Sequence, residues 1–372
     1  MSIHKMYYVV LLFLASFTWN YAQDRPAAEQ FPIVVEDSTA RMRKVHDGVY
    51  AIIHDPATDE WPHGNSGVVV GTKGVMVIDA NYLPSRSRAD IKLIRRITDK
   101  PITHLVFTHW HFDHNNGTIA YLEAFPDIKI ISERNTRRFI ELNGYWWSRS
   151  VTAQSSNKRK SLQQLEATRS SGKDKSGKEF TDEEKGSMDT IIMWRKNELS
   201  ELEGLTVVPP NQVFDAELKI DLGKRQIVLK NMGPANSPND VAIFLPKEKI
   251  LFTGDILVQG PRPYTSNCWP IPWINVLKQL EAQPVNAIVP GHGPVLPDHQ
   301  YTRQMRGLLE ATKLRVEAMI EKGMTLEQIQ STINMDDQHK GVWDRGDAGK
   351  PIWNATINML VERVWRGVRG QG

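Results

Sequence analysis

Three histidines and an aspartate fall within six residues of one another in the run Thr108-His-Trp-His-Phe-Asp-His114. The apolar stretch Thr103 to Phe107 precedes them, so a buried strand delivers the run to a point where the chain must turn. Imidazole nitrogens and carboxylate oxygens are ligands that zinc accepts at about 2 Å. Residues two apart at a strand end point to the same side, so His109 and His111 converge on one metal position. The turn that follows aims Asp113 and His114 at a second position beside it. Isolated histidines (His46, His54, His104, His299 and His339) read instead as ordinary core or surface residues.

The flanking pattern predicts strands over 48–54, 67–70 and 75–78, with the turns Gly64-Asn-Ser-Gly67 and Thr72-Lys-Gly74 between them. Ile91, Leu93, Ile94 and Ile97 recur at helical spacing over 85–99, which gives an amphipathic helix with a basic outer face. A second helix near Gly117 and a strand over 129–132 complete an alternation of strands and helices that argues for α/β layering. The pattern resumes with strands over 217–221, 226–230, 241–244, 250–253 and 287–289 and a helix over 273–281.

Residues 134–205 interrupt it. Lys, Arg, Glu, Ser and Gln dominate there, and the expectation is an inserted helical segment with a mobile polar stretch at 170–184. Two closing helices, 301–322 and 325–334, begin a C-terminal helical extension over 301–372.

Lys5 followed by an apolar stretch from Met6 to Phe17, with Ala22 before Gln23, reads as a signal peptide over 1–22 and predicts a periplasmic or secreted protein. The stretch is too short to span a bilayer, so no stable membrane insertion is expected once it is removed. Cys268 is the only cysteine, and stability in an oxidising compartment must therefore come from the core and from metal. The 46 basic and 43 acidic residues are mixed along the chain, which gives no cause to expect nucleic acid. A small molecule is the expected partner, and oligomeric state is not legible.

The 108–114 run resembles the signature motif of the metallo-β-lactamase superfamily. Asn65-Ser-Gly67 with its valines, and Gly74-Val-Met-Val-Ile-Asp79, resemble that family's opening hairpins. Leu251-Phe-Thr-Gly-Asp255 resembles its strand-end aspartate that bridges two metals, and Val289-Pro-Gly-His-Gly293 its last histidine loop. The resemblance covers roughly 45–133 and 212–296. It implies an α/β fold, a four-layer αβ/βα sandwich of two mixed β-sheets flanked by helices, with metals at one edge. Asp79 then supports a ligand rather than acting as one.

One departure bears on the metals. The family commonly has Gly-His-Thr/Ser-Pro-Gly where this chain has Gly233-Pro-Ala-Asn-Ser-Pro238. Asn236 thus stands at the position of a usual His ligand, and its amide oxygen is a weak zinc ligand. His109, His111 and Asp255 remain for the first position, and Asp113, His114, Asp255 and His292 for the second. The expectation is one tight zinc ion, with any second one weak.

Zinc lowers the pKa of its water from 15.7 to about 7, so hydroxide for attack on a carbonyl is available at neutral pH. Asp113 would orient that water and pass on its proton, with His111 as an alternative base. A lactam, lactone, ester or amide is the expected substrate. Asp255 argues against a true lactamase, where Cys or Ser is usual at that point. The alternatives are a degenerate metal-binding protein without turnover, which only Asn236 supports, and an iron-dependent sulfur dioxygenase. Replacement of one of the iron's three ligands by Asn236 argues against the latter.

Overall fold

The structure is a computed structural model that describes residues 30–54, 63–174, 176–260, 263, 265–343 and 346–371. The expected leader over 1–22 lies outside these residues, as do the side chains of 143–157 and 346–348.

Eight strands make the first sheet, in sequence order. They are β1 (Ile33–Glu36), β2 (Ala40–His46), β3 (Val49–His54), β4 (Ser66–Val70), β5 (Val75–Ile78), β6 (Ile102–Val106), β7 (Lys129–Glu133) and β8 (Gln212–Phe214). The first five pair antiparallel, each with the next. From β5 onward pairing is parallel, because helices carry the chain back between strands. These crossovers hold α1 (Pro84–Arg95), then α2 (Phe112–Asn115) and α3 (Thr118–Ala124), then α4 (Arg134–Ser171) and α5 (Asp182–Glu203).

The second sheet holds β9 (Glu217–Asp221), β10 (Gln226–Gly233), β11 (Asp240–Leu245), β12 (Ile250–Val258) and β13 (Ala287–His292). Its order is β13-β12-β11-β10-β9, with only β12 and β13 parallel, after the crossover α6 (Pro270–Glu281).

Side-chain alternation sets the layers. On β4 and β5, Val69, Met76 and Ile78 face the second sheet and pack with Leu229, Ile243, Phe252 and Val289. Their neighbours Val68, Val75 and Val77 face outward against Leu93 and Ile94 of α1 and Tyr121 of α3. The outer face of the second sheet, Ala242, Leu251 and Ile288, packs on Trp273 and Leu277 of α6 and on the C-terminal helices. Both sheets are thus covered on both faces, in the expected four layers. Each fully buried aliphatic side chain contributes about 1.5–3 kcal/mol.

Three features go beyond the expected pattern. The strands β1 and β2 precede the first expected strand. The insert is a helical hairpin that begins on Arg134, and its second helix starts at Asp182 on a Thr181–Glu184 capping box, several residues before the apolar periodicity does. After α7 (Gln300–Glu321) and α8 (Leu326–Thr332), the chain continues through α9 (Asp336–Val342) and α10 (Gly346–Val368), which extends the helical region past the last expected helix. Trp353, Leu360 and Val361 of α10 are almost fully buried, so the extension completes the core beneath the second sheet. No helix among the described residues is long and apolar enough to cross a membrane.

Candidate metal centre

The ends of β6, β12 and β13 meet at one edge of the sandwich, and each delivers a donor. The strand β6 runs into Thr108 and the buried His109, β12 carries Asp255, and β13 ends on His292. The one-turn helix α2 turns the chain back immediately, which brings Asp113 and His114 beside them.

The donors form two groups, His109–His111–Asp255 and Asp113–His114–His292, each with its donor atoms within 4.8 Å of one another. In the first, His109 Nε2 lies 2.9 Å from His111 Nδ1 and 3.6 Å from Asp255 Oδ2. In the second, Asp113 Oδ2 lies 3.0 Å from His292 Nε2 and 3.5 Å from His114 Nε2. Asp255 joins them, because its other oxygen, Oδ1, is 3.2 Å from His114 Nε2 and 3.4 Å from His292 Nε2.

The inward-facing nitrogens are set from behind. Asp79, at the end of β5, accepts hydrogen bonds from the Thr108 amide and hydroxyl, both at 2.8 Å, and from His114 Nδ1 at 2.9 Å. His114 Nε2 is thereby left to face the centre. The Thr108 hydroxyl also lies 3.0 Å from His109 Nδ1.

Close backbone approach is required at two glycines. A Cβ on Gly64 would lie 2.5 Å from the His114 ring, and one on Gly291 would lie 2.1 Å from Asp255 Oδ1. Asn65 fastens the same region, since its side-chain amide donates to the carbonyls of Pro290 and Gly293 on either side of His292, both at 2.9 Å.

The electrostatics suit a cation. Burial pushes the His109 imidazole well below its usual range, and the neighbouring histidines push the same way. Burial acts likewise on His114, but Asp255, Asp113 and Asp79 outweigh it and hold this ring well above its ordinary value. Against burial, His114 and His292 draw the carboxyls of Asp113 and Asp255 down. Two buried carboxylates facing one another are costly unless opposite charge or hydrogen bonds offset them, and divalent cations among these oxygens and nitrogens would supply positive charge. The donor set, imidazole and carboxylate in two adjoining groups of three, fits zinc.

The sequence-derived residues His109, His111, Asp113, His114, Asp255 and His292 are therefore brought together. Asn236 is fully buried on the β10–β11 loop. That loop is anchored by the Trp269 amide, which donates to the Ala235 carbonyl at 2.8 Å. Gly64 was legible only as a turn residue and Asn65 only as part of a turn that resembles the family's opening hairpin, and their contacts with the centre span 49 to more than 220 positions of sequence.

Comparison with known proteins agrees with this geometry. The family model of the metallo-beta-lactamase superfamily matches residues 59–318. A linear primary-alkylsulfatase of Pseudomonas sp. (strain ATCC 19151) is 22% identical over 321 residues, which is 82% of this chain and 55% of that enzyme. The sec-alkylsulfatase Pisa1 from Pseudomonas sp. shares the fold with a TM-score of 0.58 at 15% identity, over 88% of this chain and 50% of that one. The DIM-1 metallo-beta-lactamase does so with a TM-score of 0.51 at 16% identity, over 74% of this chain and 99% of that one. The chain thus spans about half the length of the alkylsulfatases it matches. With a family match over most of its length and with strand ends that converge on two His/Asp groups, the chain belongs to the metallo-beta-lactamase superfamily.

Proposed function

We propose that the protein is an exported zinc-dependent hydrolase that directs water onto a carbonyl carbon of a small-molecule lactam, lactone, ester or amide, in the periplasm or outside the cell. The observation that carries this reading is the placement of Asp255, whose two oxygens face the two donor groups. Zinc in such a centre polarises the electrophile and brings the pKa of a water to about 7.

The chain's own residues do the rest. His109, His111 and Asp255 would hold the first ion, and Asp113, His114, Asp255 and His292 the second. Asp79 and Thr108 keep the rings of His114 and His109 in register. The Asp113 carboxylate orients the attacking water, accepts its proton and returns it to the leaving group. His111, half-buried where His109 and His114 are fully buried, is the alternative base. Asn236 in place of a histidine leaves the first position with the weaker donor set, so one ion is tight and the other weak.

A second reading is hydrolysis of a sulfate ester. It rests on the alkylsulfatase relative, which matches 82% of this chain. A panel of nitrocefin, an acyl lactone, 4-nitrophenyl acetate, 4-nitrophenyl sulfate and dodecyl sulfate separates the two. Chelator-sensitive turnover confined to the first three supports the carbonyl reading, and turnover confined to the sulfates replaces it. Turnover that survives in Asp113→Ala, or none on any substrate, contradicts the catalytic assignment.

A further inference from the structure

A second buried polar cluster lies behind the centre and holds none of its donors. Asp90 of α1 is fully buried, and its Oδ2 accepts from Asn81 Nδ2 at 2.7 Å and from the Ser66 hydroxyl at 2.9 Å. His54 Nε2 lies 3.3 Å from the same oxygen. A buried carboxylate is costly unless it is paired and hydrogen-bonded, and Asp90 in turn fixes the donors that satisfy it, Asn81 and Ser66.

Asn81 belongs to the turn that leaves β5. Asp79 and Asn81 both have left-handed backbones there, with φ of 61° and 60°. Non-glycine residues in this region cost of order 1–3 kcal/mol each and persist only where the surroundings hold them. The turn touches the metal loop at three places. The Ala80 amide donates to the His114 carbonyl at 2.7 Å, the Gly117 amide donates to the Asn81 carbonyl at 3.1 Å, and the Asp79 side chain accepts from His114 Nδ1.

We propose that Asp90 is a positioning residue for the metal centre, acting through Asn81 to hold the turn that presents Asp79 to His114. The inference rests on the reading of the centre as a cation site. It does not depend on what the centre hydrolyses, since binding of the metal alone reports it.

The test is Zn²⁺ affinity of the full chain, measured by competition with a chromophoric chelator. Asp90→Asn weakens binding about tenfold, the lower end of what loss of ligand support costs. Asn81→Ala, which cuts the link while leaving the carboxylate in place, does the same. Leu93→Ala, buried on the same helix, lowers stability but leaves affinity within about twofold of wild type, as expected of a site that is not coupled. In an Asn81→Gly background, Asp90→Asn costs less than about threefold, because glycine adopts this φ unaided. Wild-type affinity in Asp90→Asn, or an equal loss in both backgrounds, overturns the proposal. A second readout needs no metal. The His114 Nδ1–H proton resonance, assigned by its absence in His114→Gln, persists in the metal-free wild type and is lost to exchange in Asp90→Asn. If it persists equally in both, the proposal fails.

Discussion

His114 Nδ1 lies 2.9 Å from Asp79 Oδ2, and both groups are almost fully buried. The pair fixes which nitrogen of His114 faces the centre. Asp79→Asn keeps the shape but loses the charged acceptor, and zinc affinity should fall about 10–100-fold. Chelator competition on folded protein checks this, and unchanged affinity would mean that His114 is oriented without Asp79.

The loop after β12 is tied to the last helix. Arg363 of α10 donates through Nε to the Cys268 carbonyl at 2.8 Å, and its guanidinium lies 5.4 Å from the Trp269 ring centroid. Arg363→Ala should cost about 1–3 kcal/mol of stability through the lost charged hydrogen bond. Because Trp269 in turn anchors the Asn236 loop, urea denaturation should be paired with steady-state kinetics. The expected kinetic change is in KM more than in kcat, with tight zinc binding retained.

Trp353 tests whether the C-terminal extension is part of the core. It is 1% exposed within the cluster beneath the second sheet. Trp353→Ala should destabilise by about 3–5 kcal/mol, with one cooperative unfolding transition. A separate early transition with the main one unmoved would make the extension an independent unit.

Much of this architecture was legible because its signals are local. The donors of the 108–114 run are contiguous, and buried strands such as Val75–Ile78 are short and uniformly apolar. The strand β2 escaped notice because Arg41 and Arg43 occupy its more exposed face and hide the buried Ala40 and Met42. In α10, Gly349 and Pro351 in the opening turns break the helical signal before the apolar face begins. Asp90, Asn81 and Ser66 form their cluster across three elements, and no spacing rule connects them.

Asp240 carries a pH signature. Burial pushes its carboxyl up to about 8, although the Ser237 amide, 2.7 Å away, draws it down. The unfolded chain releases this proton near the ordinary carboxyl value of 3.8, whereas the folded metal-free protein keeps it until about 8. Folding therefore binds the extra proton within that window, and stability falls as pH rises through it, by up to about 1.4 kcal/mol per unit. Asp240→Asn should flatten the pH dependence of urea unfolding between these limits in chelator-treated protein. An unchanged slope would show that the group ionises normally.

On the proposed reading the centre is paired but unequal, joined by Asp255 and weakened on the His109–His111 side by Asn236. Zinc content after dialysis, measured for wild type and Asn236→His, tests it most directly. About one tightly held equivalent is expected in the wild type, rising towards about two in the variant. Two tight equivalents in the wild type, or no gain in Asn236→His, would contradict it.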